Sequence, residues 1–292
     1  MSIKKVGIAL GGGAARGWSH ISILRELEAM QIKPDIVAGT SIGALVGAAY
    51  CLGKLEALEV WVREMRWQDV AGYFDIRLSG GLIAGGRVMQ ALAGMIGDAD
   101  FKDCHVPFAA VATDLVTGQE HWLREGKVLD AVRASMALPI LFSPVKHEQT
   151  WLVDGGLVNP VPVSLCRAMG ADRVIAVDLL GDALERSTLR VSAPESTDTL
   201  VGRARQAMTD WLGQDDAADM PSILDVMSRS INIMALRISR SRMAGDPPDV
   251  LLMPRMPQIS LMDFHRAEEA MRAGQQAVEH NRAALRDLIK NM

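Results

Sequence analysis

The sequence predicts an α/β fold around a mostly parallel sheet. Three observations carry this: short apolar runs end in glycine-rich turns, residues at helical spacing follow the turns, and the order repeats from Val6 to about Leu180. Val6 to Leu10 reads as the first strand because it runs straight into three glycines. Ile21, Leu24 and Leu27 then recur at helical spacing, so the chain opens as strand, glycine loop, helix. The pattern returns at once, with Ile36 to Ala38 as a strand, Gly39 to Gly43 as a tight turn and Ala44 to Leu52 as an apolar helix.

Leu55 to Trp67 and Arg87 to Met95 are expected to be helical. A glycine-rich connection (Ser79, Gly80, Gly81, Gly85, Gly86) joins them and is expected to form a covering loop. Val106 to Thr113 and Glu120 to Leu123 read as strands around the Thr117-Gly118 turn, and Val128 to Ala137 as a helix stopped by Pro139. Trp151 to Val153 is a strand ending in Asp154-Gly155-Gly156. A proline-started helix follows from Val161 to Met169, and Val174 to Leu179 closes the alternation. The polar stretch from Glu185 to Thr199 reads as a linker, and helices dominate beyond it. The expected division is therefore a main domain over residues 1–182 and a mostly helical extension over 183–292, packed on it. Ile223, Met227, Ile231, Met234 and Ile238 form one apolar stripe, and Phe264, Met271, Val278 and Leu285 another in the last helix, both expected to pack against the main domain.

Composition narrows the partners. Thirty-five acidic against 31 basic residues give a formal net charge of -4, without the basic footprint of a nucleic-acid binder. Cys51, Cys104 and Cys166 are odd in number and widely spaced, which fits neither a disulfide framework nor a zinc site and favours a reducing compartment. The opening MSIKKVGIALGGG lacks the apolar core of a signal peptide, and no apolar run approaches a membrane span. A cytoplasmic protein able to touch the inner membrane surface is expected.

Three motifs can carry chemistry. Gly39-Thr40-Ser41-Ile42-Gly43 is a GxSxG between an apolar strand and an apolar helix, the context in which such a serine is exposed on a sharp turn. The helix N-terminus there would favour a developing alkoxide. Gly11-Gly12-Gly13-Ala14-Ala15-Arg16-Gly17 follows the first strand. It misses the dinucleotide fingerprint, because the sixth position from Gly11 is Arg16 and the third from Gly12 is Ala14. It also lacks the Gly-Lys-Ser/Thr end of a phosphate loop. A nest of amides that binds an oxyanion is the reading that survives. Asp154, at the end of an apolar strand in a glycine turn, is either a simple turn residue or a partly desolvated carboxylate able to take a serine proton. His105, His121, His147, His265 and His280 follow Ser41 in the chain, but none stands in a glycine-marked turn after a strand. His20 is expected to pack or cap locally.

Together these motifs resemble the patatin-like phospholipase family, especially bacterial members related to the neuropathy target esterase group, from about Lys5 to Asp178. The resemblance implies a three-layer α/β/α sandwich and a lipid or lysophospholipid ester as substrate, hydrolysed without metal or organic cofactor. It implies Ser41 as nucleophile, Asp154 as general base, and Gly12, Gly13, Ala14 and Arg16 as the oxyanion loop. Gly11, Gly17, Gly39, Gly43, Gly155 and Gly156 are the motif glycines. Ala134-Ser135-Met136-Ala137-Leu138-Pro139 also matches a family pattern, with helix-end packing as the role expected of Ser135. Where the commonest family form has a third glycine the chain has Ala14, which keeps its N–H donor, so the hole can persist if the backbone there needs no positive φ.

Arg16 is expected to support the loop, with binding of a lipid phosphate as the alternative. Arg229, Arg237, Arg240 and Arg242 make their helix basic and amphipathic, which could bring it to an anionic membrane, although a solvated basic face is the favoured explanation. Two other functional readings stay open: an α/β-hydrolase esterase with a distant histidine base, and a regulatory or adaptor protein on the same fold.

Overall fold

The computed structural model describes residues 4–73, 86–139, 141–181 and 223–290. Ser79 to Gly85 of the expected covering loop, the Glu185 to Thr199 linker and the expected boundary at 182/183 lie outside the described residues.

In chain order the elements are β1 (Val6–Leu10), α1 (Ser19–Ala29), β2 (Ile36–Thr40), α2 (Ile42–Cys51), α3 (Leu55–Glu64), α4 (Trp67–Tyr73) and α5 (Gly86–Ile96). They continue with β3 (Phe108–Asp114), β4 (Glu120–Leu123), α6 (Val128–Ser135), β5 (Val145–His147), β6 (Thr150–Asp154), α7 (Val163–Ala168) and β7 (Arg173–Val177). The last are α8 (Ile223–Gly245), β8 (Val250–Leu252), α9 (Ala267–His280) and α10 (Arg282–Lys290). The helix expected over Leu55 to Trp67 is two helices, because Met65 leaves the helical region with φ -65° and ψ 122°. β5 and β8, three residues each, carry too little period-2 signal to stand out in the sequence.

The eight strands form one mixed sheet. β3, β2, β1, β7 and β8 are parallel neighbours, while β4 and β6 pair antiparallel with β3 and β5 pairs antiparallel with β6. The central strands are buried on both faces, so they read as continuous apolar runs. Their side chains alternate between two cores. Ile8, Leu10, Val37 and Ile175 face a large cluster with α1, α2, α3, α6 and α9, whereas Ala9, Ala38, Ala176 and Val111 face a smaller one with α7. This is the three-layer α/β/α arrangement the resemblance implied. α2 is apolar on every side because it is enclosed, with nine of its ten residues buried. Among the described residues no helix is long and apolar enough to cross a membrane.

Candidate active site

The site lies where the parallel strands end. Leu10, Gly39 and Val177 stand side by side at the tips of β1, β2 and β7, while β3 runs on to Asp114. Ala110 and Val111 pair with β4 on one edge and β2 on the other, whereas Ala112 and Thr113 pair with β4 and β6. β2 and β6 therefore meet end to end along a single edge of β3, with Thr40 opposite Val111 and Asp154 opposite Ala112. Ser41, the next residue after Thr40, is thus delivered to Asp154 across 113 positions of sequence: its Oγ–H donates to Asp154 Oδ2 at 2.6 Å.

Ser41 sits at φ 57°, ψ -124° between β2 and α2, a conformation that costs a non-glycine residue about 1–3 kcal/mol. Its surroundings hold it there. The Ser41 N–H donates to Ser135 Oγ at 2.8 Å, and its carbonyl accepts the Ala44 amide at 2.8 Å. Gly39 and Gly43 are needed for space: a Cβ on Gly43 would meet the Leu10 carbonyl, and one on Gly39 the Ala44 backbone. Gly17 packs as closely on Ile42, and Gly155 on the Val111 carbonyl. Sequence reasoning assigned Ser135 to helix-end packing. The structure adds a polar duty, for which a serine set among Ala134, Met136 and Ala137 at the helix end was the available signal.

Asp154 is 2% exposed. Oδ1 accepts the Gly156 amide at 2.7 Å, the Asp154 N–H donates to the Ala137 carbonyl at 3.0 Å, and its own carbonyl accepts Thr113 Oγ1–H at 2.8 Å. Burial pushes its carboxyl up to about 6, against the opposing pull of the bonds from Ser41 and Gly156. A carboxylate so placed can accept the hydroxyl proton directly at neutral pH.

The glycine loop divides its amides. Gly11 donates to the Val177 carbonyl at 3.0 Å and Gly12 to the Pro160 carbonyl at 2.9 Å. The donor set expected over Gly12 to Ala14 thereby narrows, because among the described residues only the Gly13 and Ala14 amides of that set lack a protein acceptor. Both residues border the same cavity as Ser41 and Asp154. Ala14 stands at φ 50°, so the positive φ that the sequence reading hoped to avoid is present, and alanine adopts it. Arg16 is buried and faces inward: Nε–H donates to the Gly13 carbonyl at 3.3 Å and Nη2–H to Asn232 Oδ1 at 3.3 Å. That geometry braces the loop.

No histidine lines this cavity. His20 lies beneath the loop with Nε2 2.8 Å from the Gly11 carbonyl, so that nitrogen carries the hydrogen. Burial holds the ring's pKa down at about 4, leaving it neutral. His105 packs against Gly53 just beyond the far end of α2, His121 and His147 have rings 5.5 Å apart, and His280 Nδ1 is 2.7 Å from the Gln276 carbonyl. His265 borders a surface groove with Arg63 and Arg266.

Residues of α8 complete the site. Ile231, Asn232 and Ala235 of α8 form one wall of the cavity, facing Leu138, Leu157 and Leu261. The stripe expected to pack as one face therefore splits: Ile231 lines the cavity, whereas Met227 and Met234 are exposed. The α-helical pitch of 3.6 residues puts Ile231 and Ala235 together on the cavity side, with Met227 and Met234 on the flank beside Ile231 that faces away from Asn232.

Fold and site define an α/β protein with a serine–carboxylate pair on a strand-to-helix elbow, beside two amides without protein acceptors. Residues 8–167 match the patatin-like phospholipase family, and the chain belongs to it. It is similar to an uncharacterized NTE family protein of Mycobacterium tuberculosis, 28% identical over 324 residues that cover 94% of this chain and 90% of that one. It is also similar to lysophospholipase NTE1 of Pyricularia oryzae, 26% identical over 278 residues that cover 93% of this chain and 18% of the relative. These relatives place it in the NTE-related group of the family. Among solved structures, VipD from Legionella pneumophila aligns over 96% of this chain and 67% of its own, with 12% identity and a TM-score of 0.43.

Proposed function

We propose that this protein is a serine lipid acyl hydrolase acting on the carboxylic esters of phospholipids or lysophospholipids through a Ser41–Asp154 dyad. The observation that carries the reading is the 2.6 Å hydrogen bond from Ser41 Oγ to a buried carboxylate whose pKa stands near 6. Asp154 takes the hydroxyl proton as Ser41 Oγ attacks the ester carbonyl. The carbonyl oxygen becomes an oxyanion held by the Gly13 and Ala14 amides. Collapse breaks the ester bond, Asp154 passes its proton to the departing alcohol, and an acyl-serine remains. Water then gives a proton to Asp154 and attacks the acyl carbon, and the returning proton restores Ser41 as the fatty acid leaves. Each step is carried by side chains and amides of this chain. The family and the lysophospholipase among the relatives support the substrate class, and the arginines of α8 support peripheral contact with anionic lipid.

The test is hydrolysis of a short-chain nitrophenyl ester and of phospholipid and lysophospholipid mixtures by the wild type, Ser41→Ala and Asp154→Asn, with circular dichroism to check folding. Loss of turnover in both folded variants is expected. Turnover surviving in Asp154→Asn would return the role of base to a histidine, and a wild type inert on every ester would leave the adaptor reading.

A further inference from the structure

The cavity over Ser41 holds about 50 Å³, far below the roughly 300–1,000 Å³ of a ligand site. Among the lining residues Ile231, Asn232 and Ala235 all belong to α8, so this helix roofs the nucleophile. Its solvent side carries exposed apolar side chains around Ser230 and Arg237. Val226, Met227, Ile233 and Met234 are 49%, 41%, 45% and 51% exposed, and they fall on one outward face of its N-terminal half. Exposed clusters of this kind mark an interaction surface rather than ordinary scatter.

The charge of the helix indicates the partner. α8 contains four arginines against one acidic residue, Asp225, in a chain of net charge -4. Arg242 is paired with Glu120 at 2.8 Å and Arg240 stands within electrostatic reach of Asp178, while Arg237 is exposed next to the apolar patch. Exposed apolar side chains beside an exposed arginine match an anionic lipid–water interface, which takes up the former and attracts the latter.

We propose that the outer face of α8 is the surface on which this protein docks to an anionic lipid interface, and that docking draws the same helix off Ser41. Its second half rests on the hydrolase reading above. The roof is fastened to Arg16 by the 3.3 Å bond to Asn232, so its departure opens the cavity while Arg16 keeps its bond to the Gly13 carbonyl. Substrate thus gains access only at the surface that contains it.

The experiment uses vesicles of ether-linked phosphatidylcholine, alone or mixed with ether-linked phosphatidylglycerol, which bind without being hydrolysed. Co-sedimentation reads docking, and turnover of a monomeric nitrophenyl ester in the same tube reads opening. Wild type is expected to bind the mixed vesicles at least about tenfold more tightly than the neutral ones and to turn over the ester several-fold faster in their presence. The double variant Ile233→Asp/Met234→Asp is expected to lose at least about tenfold in binding and all of the acceleration, while keeping its turnover without vesicles. Arg237→Glu should weaken binding to the mixed vesicles alone. Equal binding by wild type and the double variant would overturn the docking surface, and tight binding without acceleration would overturn the opening step. Should ester turnover prove independent of Ser41, the hydrolase reading and its opening step fail, and co-sedimentation alone still decides the docking surface.

Discussion

Replacing Asp154 by asparagine should abolish turnover and make the protein more stable. Asp154 titrates near 3.8 in an unfolded chain and near 6 in the folded one, chiefly because burial opposes its charge. Between those values the folded state holds the extra proton, so this group's contribution falls as pH rises through the window, with the loss complete above about 6. Two pH units at about 1.36 kcal/mol each make the ionised carboxylate cost about 3 kcal/mol near pH 8. That cost is already net of the bonds from Ser41 and Gly156, which pull the other way. Asparagine keeps the shape, with an oxygen for the Gly156 amide and an N–H2 for Ser41 Oγ, and it carries no charge. Urea unfolding should therefore give Asp154→Asn an advantage approaching 3 kcal/mol near pH 8 that shrinks towards zero near pH 4. A variant less stable than wild type at the higher pH, or an advantage that does not change with pH, would refute this account.

Ser135→Ala leaves the Ser41 N–H without its acceptor; it should cost about 1–3 kcal/mol in urea unfolding and lower kcat on the nitrophenyl ester while KM stays put. Ala14→Gly removes a side chain from a backbone at φ 50°, and thermal unfolding should show a gain of up to about 1 kcal/mol with the ester activity kept. The pH profile of kcat/KM for the ester should rise through about 6 as Asp154 ionises. An acid limb that disappears when a histidine is replaced would contradict that assignment.

The sequence showed the alternation of strand, glycine turn and helix because the central strands are buried on both faces and their tips must turn sharply. Gly39 and Gly43 were legible for the same reason, since backbone passes where a Cβ would stand. Asp154 was legible as the end of an apolar strand, but not the direction of that strand: β6 runs antiparallel to β3 and reaches the site from the side opposite to β2. Strand direction depends on which edge a segment pairs with, and that is a long-range property no local pattern carries. The part played by α8 was hidden for a related reason. Its stripe of Met and Ile reads as one face, but packing fixes the rotation so that Ile231, at one edge of the stripe, lines the cavity while Met227 and Met234 beside it are exposed. The Gly12 amide could not be told from its neighbours before Pro160 took it.

The end-to-end meeting of β2 and β6 also bears on which residue serves as base. In a serine–histidine–aspartate arrangement the imidazole stands between hydroxyl and carboxylate, which keeps those two apart. Here they touch at 2.6 Å, so no ring fits between them, and a histidine acting on Ser41 would have to displace Asp154 from a position fixed by β6, Gly156 and Thr113. A carboxylate with its ordinary pKa would be a weak base for this proton, and the structure answers that weakness with burial, which lifts Asp154 to about 6. The same burial is what destabilises the ionised fold. Basicity and instability at this site therefore have one cause, and a substitution that lowers the Asp154 pKa without loss of packing should relieve the cost of its charge and weaken it as a base together.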